Sequence, residues 1–128
     1  MVICRKIGKL MLLCLPALAM VGCDRQETIS YSADVRPILE QNCIACHMAG
    51  AQGQEASGFS MDTYDGLMKG TNLGPMIIAG DSASSNMVIL MEGRADPSIS
   101  MPHGEQETVA EPEIAKIRLW IDQGAKNN

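Results

Sequence analysis

Cys43-Ile44-Ala45-Cys46-His47 constrains this chain more than any other feature. Two thiols three residues apart, followed at once by an imidazole, form the C-x-x-C-H spacing at which haem is attached covalently. The spacing suits the chemistry. Both thiols can reach the two vinyl groups of one porphyrin, and the next residue reaches its iron from the same local turn. Thioether links keep haem on a small domain, and His47 Nε2 supplies the proximal iron ligand.

Other chemistries use similar residues. A redox-active dithiol also carries C-x-x-C, but it expects a surrounding parallel-sheet fold, and no strand pattern is evident here. Structural zinc wants four ligands, and Cys43, Cys46, His47 and His103 are the whole supply beyond residue 30. An accidental motif in a cytosolic protein conflicts with the start of the chain. The chain opens MVICRKIGKL and continues MLLCLPALAMVG, a basic flank followed by a short apolar run. Residues 1–22 therefore read as a secretion or lipoprotein signal.

Met20-Val21-Gly22-Cys23 resembles a bacterial lipobox, with Met20 where Leu is usual. Cys23 is the expected lipidation site, and more than one acyl chain would give lasting attachment at about 0.8 kcal/mol per buried methylene. The expected location is the periplasm or another extracytoplasmic face, tethered to the membrane. Of five cysteines, Cys4 and Cys14 leave with the signal and Cys23 takes lipid, so nothing remains for a disulfide besides Cys43 and Cys46. The 128-residue chain has room for one domain. Residues 23–30 read as a polar tether, 31–125 as the domain and 126–128 as a tail. Losing Arg5, Lys6 and Lys9 takes the net charge from −5 to −8. That argues against nucleic acid or an anionic surface as a partner and favours a redox protein with a basic docking patch.

Val35, Ile38 and Leu39 recur at helical spacing and predict a first helix ending near Gln41, with Ser32 or Asp34 as its cap. Pro37 bends that helix if Ser32 caps it. Residues 48–62 read as loop. A short helix is expected over Tyr64–Lys69, closed by Gly70. Ser82, Ser84 or Ser85 is positioned to cap a helix carrying Met87, Val88, Leu90 and Met91, ended by Gly93. The last helix is expected over 112–123, with Pro112 in its first turn and Gly124 at its stop. Ile114, Ile117, Trp120 and Ile121 form its apolar face. The chain is therefore read as all-α. Its core is thin, because Tyr31, Phe59, Tyr64 and Trp120 are the only aromatic residues. A buried porphyrin would supply apolar volume, and the haem-free chain is expected to be poorly folded.

For the distal iron ligand, Met101 leads. It precedes Pro102 in a turn-rich loop between two helices, with His103 as a rival two residues on. A thioether is a soft ligand that favours the ferrous state. Met87 and Met91, four apart, fit a packed helix stripe instead.

Several words of this sequence belong together. Asp34-Val35-Arg36-Pro37-Ile38-Leu39 precedes CIACH, and Tyr64-Asp65-Gly66-Leu67-Met68-Lys69-Gly70 follows. Next come Gly74-Pro75, Ala79-Gly80-Asp81, Ser85-Asn86-Met87 and Met101-Pro102. Trp120-Ile121-Asp122-Gln123-Gly124-Ala125 ends the series. Spread over residues 31–125, they resemble the small monohaem cytochrome c domains of planctomycetes and, more widely, class I cytochrome c. The resemblance implies a compact all-α class I cytochrome c-like fold whose N- and C-terminal helices cross beside a covalent haem. It implies Met101 as distal ligand, and Gly74-Pro75 on the proximal side with a carbonyl orienting the His47 Nδ1–H. Trp120 is expected beside the haem or at the helix crossing. Met48 departs from the Gly that many relatives have after the haem histidine, and is expected to pack nearby. The implied function is one-electron transfer with a single haem c, without catalysis. A haem-based sensor of a small ligand and a structural haem module of a larger redox assembly are the alternatives.

Overall fold

The computed structural model describes residues 27–104 and 106–128. The expected signal, residues 1–22, and Cys23 lie outside the described residues. Ser30, ahead of both predicted caps, starts the first helix. Its Oγ accepts the Ala33 N–H, and Asp34 Oδ2 accepts the Ser30 N–H at 2.9 Å. The two bonds satisfy donors at the helix start reciprocally. Pro37 is accommodated by a π-helical turn, Tyr31–Val35, that leads into α1, Arg36–Asn42. In that turn the Val35 and Arg36 N–H groups bond to carbonyls five residues back, on Ser30 and Tyr31. The wider turn relieves the contact between a proline ring and the carbonyl four residues before it.

After a break at Cys43 come α2, Ile44–His47, then α3, Gln52–Ser57, and α4, Tyr64–Lys69. α5, Asn86–Met91, a 3₁₀ turn, Pro97–Ile99, and α6, Glu111–Asp122, complete the order. Among the described residues there is no strand, only an isolated bridge between Thr71 and Gly74. The fold is all-helical, as the sequence predicts.

α4 spans the predicted residues, α5 carries the predicted apolar residues, and α6 lies one residue ahead of its predicted range. Thr63 caps α4 by accepting the Gly66 N–H at 3.1 Å. Ser85 occupies the cap position of α5 but spends its hydroxyl elsewhere, donating to Asp81 O and accepting the Ile78 N–H. α3 breaks the predicted loop over 48–62. Its sequence, QGQEAS, has no apolar period to announce it. Its ends are fixed locally instead, by the Gly50 N–H donating to Gln54 Oε1 and by Gly58 in the left-handed region at φ 75°.

The core joins the first and last described helices. Tyr31, Val35 and Leu39 from the first helix are buried with Ile117, Trp120 and Ile121 of α6, and Leu67 and Val88 fill in from α4 and α5. Tyr31 stacks edge-on to Tyr64 at 5.2 Å and lies tilted on Trp120 at 5.5 Å. α6 thus crosses the start of the first helix, and Lys116 Nζ reaches Asp34 Oδ1 at 3.6 Å. Packing continues past both sides of 31–125. Ile29 is buried, Asn128 O accepts the Ser32 N–H at 2.9 Å, and Asn128 Oδ1 accepts the Tyr31 N–H at 2.8 Å. None of the described helices is long and apolar enough to cross a membrane.

Candidate cofactor site

Cys43 ends α1, and α2 is the remainder of the motif. Both the Cys46 and His47 N–H groups bond to Cys43 O at 3.1 Å, so thiols and imidazole share one rigid turn. All three side chains line one cavity of about 1010 Å³. Clefts that take small molecules and cofactors run from about 300 to 1,000 Å³, so this one suits a large occupant. Phe59 and Met61 line it after α3, Pro75 and Met76 after α4, and Met87, Leu90 and Met91 from α5. Met101, Pro102 and His103 line it from the loop before α6. Most of this wall is apolar.

His47 is buried, and its Nδ1 lies 3.2 Å from Phe59 O. A carbonyl only accepts, so Nδ1 carries the proton and Nε2 keeps the free lone pair. The acceptor corrects the expectation that Gly74-Pro75 supplies it. α3 and Gly58 turn the chain back so that residues 59–61 run beside α2. There the Met61 N–H donates to His47 O at 2.8 Å, and the Phe59 ring meets the imidazole edge-on at 5.4 Å. Pro75 lines the cavity without taking that role.

α3 also approaches the motif closely. A Cβ on Gly53 would fall 2.7 Å from Cys46 O and 3.0 Å from His47 Cε1. Backbone cannot yield as a side-chain tip can. Gly53→Ala is therefore expected to push α3 off His47 and to cost about 1–3 kcal/mol, the usual range for overpacking. A lower denaturant midpoint at unchanged slope would register it, and an unchanged midpoint would refute the close approach.

The two thiols differ. Burial, then Glu113 and Cys46, push the Cys43 thiol up to about 11, so as a free thiol it is a poor nucleophile at neutral pH. Cys46 is exposed, with Gln106 Nε2 at 3.9 Å from its sulfur.

Met101 is half-buried and tied down by its N–H to Leu90 O at 3.2 Å, whereas His103 is exposed. Met87 and Met91 are buried in the core as predicted and also border the cavity. Met48 does not pack nearby. It is 45% exposed, because its extended backbone at the end of α2 (φ −84°, ψ 161°) leaves the helical path. Trp120 takes the helix-crossing position of its two expected places. It is fully buried, donates Nε1–H to Lys126 O at 2.9 Å, and does not line the cavity. Among the described residues, no group of three or more His, Cys, Asp or Glu is arranged to hold a metal ion, so His103 does not complete a zinc site with the motif.

Residues 43–105 match the family model described as planctomycete cytochrome C. The chain carries a monohaem cytochrome c domain of the planctomycete type. The match takes in the C-x-x-C-H motif, α3 to α5 and the Met101 loop, and leaves α1 and α6 outside it. The cytochrome acts in electron transfer and is not an enzyme, and the family implies a c-type haem. The residues present fit such a group. The cavity is large and apolar, two thiols stand on its wall, and the neighbouring imidazole has its lone pair uncommitted. No curated protein and no solved structure matches the chain.

Proposed function

We propose that the cytochrome holds one haem c through thioethers at Cys43 and Cys46, with His47 as proximal and Met101 as distal iron ligand, and carries single electrons outside the cytoplasm. The observation that carries this reading is that Met101, far along the sequence from the C-x-x-C-H motif, shares one apolar cavity with Cys43, Cys46 and His47. Bound haem supplies a ferric–ferrous couple that takes up and releases one electron. The chain's own residues hold and tune it. His47, with Nδ1–H committed to Phe59, has Nε2 free to ligate. Met101 offers a soft thioether that favours the ferrous state. Met76, Met87, Leu90 and Met91 exclude water from the site and lower its local dielectric. Were His47 and Met101 both to hold the iron, no position would be left for a substrate.

The export reading completes the proposal. Residues 1–22 are removed, Cys23 is acylated, and the short polar stretch between Cys23 and the buried Ile29 tethers the domain at an extracytoplasmic membrane face. The acidic chain then meets a redox partner through a basic docking patch.

The test is a redox titration, followed by optical and EPR spectra, on protein matured in a host that attaches haem c. One covalent haem per chain and a methionine–iron charge-transfer band are expected, and intact mass reads haem and acyl chains together. Met101→Ala is expected to lose that band and lower the potential, while His103→Ala keeps both. A Met101→Ala protein with an unchanged resting spectrum would remove Met101 as ligand and favour a sensor with a labile distal side.

A further inference from the structure

α3 acts on His47 at two points. Gly53 lays its backbone against the imidazole, and Phe59, just past the glycine that ends the helix, offers its carbonyl to Nδ1 at 3.2 Å. One hydroxyl connects the two. Ser57 Oγ donates to Gly53 O at 2.6 Å and accepts the Phe59 N–H at 3.1 Å. Between Ser57 and Phe59 stands Gly58 in the left-handed region, a residue with little conformational preference of its own. The direction of the Phe59 backbone therefore depends on what ties it down. From the other side, the Asn72 N–H donates to Ser57 O at 2.9 Å, so Ser57 itself is anchored.

We propose that Ser57 is a positioning residue for the haem ligand: its hydroxyl fixes the Phe59 carbonyl on His47 Nδ1 and thereby lowers the reduction potential. The proposal rests on ligation of iron by His47. A carbonyl that accepts from Nδ1–H makes the imidazole a more basic ligand. A more basic ligand stabilises the ferric state, so a looser Phe59 carbonyl shifts the couple toward ferrous. Ser57 also lines the cavity, but its hydroxyl is bonded to Gly53 O and the Phe59 N–H, so it acts on the imidazole through the Phe59 backbone.

The experiment compares Ser57→Ala and Ser57→Thr with the unmodified haem-loaded protein. Two quantities are read: the midpoint potential, and the solvent exchange of the His47 Nδ1 proton by NMR in the ferrous state. Ser57→Ala is expected to shift the ferric–ferrous equilibrium about threefold toward ferrous, about 30 mV at 59 mV per tenfold for one electron. Its Nδ1 proton exchanges faster. Ser57→Thr keeps a hydroxyl that can bond back to the carbonyl four residues earlier, and is expected to restore both values. The proposal is overturned by a Ser57→Ala protein with unmodified potential and exchange, or by Ser57→Thr shifting as far as Ser57→Ala. Should Ser57→Ala fail to hold haem, the unmodified protein decides: slow Nδ1–H exchange supports the proposal and fast exchange overturns it. Failure of the underlying ligand assignment is distinguishable, because it shows in the unmodified protein as absent haem or non-histidine ligation.

Discussion

Changing Cys43 and Cys46 together to serine is expected to abolish covalent haem and, with it, the packed structure. The reason lies in what surrounds the motif. Phe59, Met61, Met87 and Met91 are among the buried apolar residues, yet each also faces the cavity of about 1010 Å³. Without haem this cleft opens its apolar wall to water, and each Å² of apolar surface so exposed forgoes roughly 25 cal/mol. A domain is stable by only about 5–15 kcal/mol, so a wall of this extent weighs heavily. The haem-free chain therefore cannot persist as a hollow copy of the loaded one. Haem staining after denaturing electrophoresis should be lost. Helical circular dichroism should fall, and proteolysis should spread through α3 to α5. Cys46→Ser alone keeps one thioether and should fall between. A double variant that still stains, or that melts cooperatively at the unmodified temperature, would contradict this account.

Trp120→Ala is the second large effect, and its character is different. Trp120 is fully buried against Tyr31 and its Nε1–H is satisfied by Lys126 O. Truncating a buried tryptophan to alanine costs about 3–5 kcal/mol. That is most of what a small domain has, so the variant should be largely unfolded at physiological temperature. Because Trp120 does not line the cavity, the molecules that remain folded should keep an unmodified visible spectrum and potential. Trp120→Phe should recover much of the loss while forgoing the bond to Lys126. A Trp120→Ala protein with normal stability but a shifted potential would place this residue in the redox site instead.

These two effects separate what the sequence makes legible from what it does not. The motif and α4 to α6 can be read because side-chain identity carries them: thiols at fixed spacing, Gly70 closing a helix, and isoleucines at helical period. α3 is illegible, since glutamines, glycine and serine show no apolar face and the helix is held by its caps and by contact with His47. The partner of His47 Nδ1 is illegible for a related reason. Every residue has a carbonyl, so nothing in the name of Phe59 announces it; only the path of the chain after α3 brings it there. Gly74-Pro75 is the plausible guess from resemblance, and Pro75 does reach the cavity, but another segment arrives at the imidazole first. For Trp120, helical spacing says that it lies on a buried face but not on which side of the domain. The π-helical turn before Pro37 is likewise a solution that the proline demands without specifying.

The clasp between Asn128 and residues 29–32 ties the described chain into a ring in all but covalent bonds. Ser30, Tyr31 and Ser32 all engage Asn128. Removing residues 126–128 would release Tyr31 from Asn128 and Trp120 from Lys126 in one event, so a cut ahead of Lys126 would loosen the start of the first helix as well.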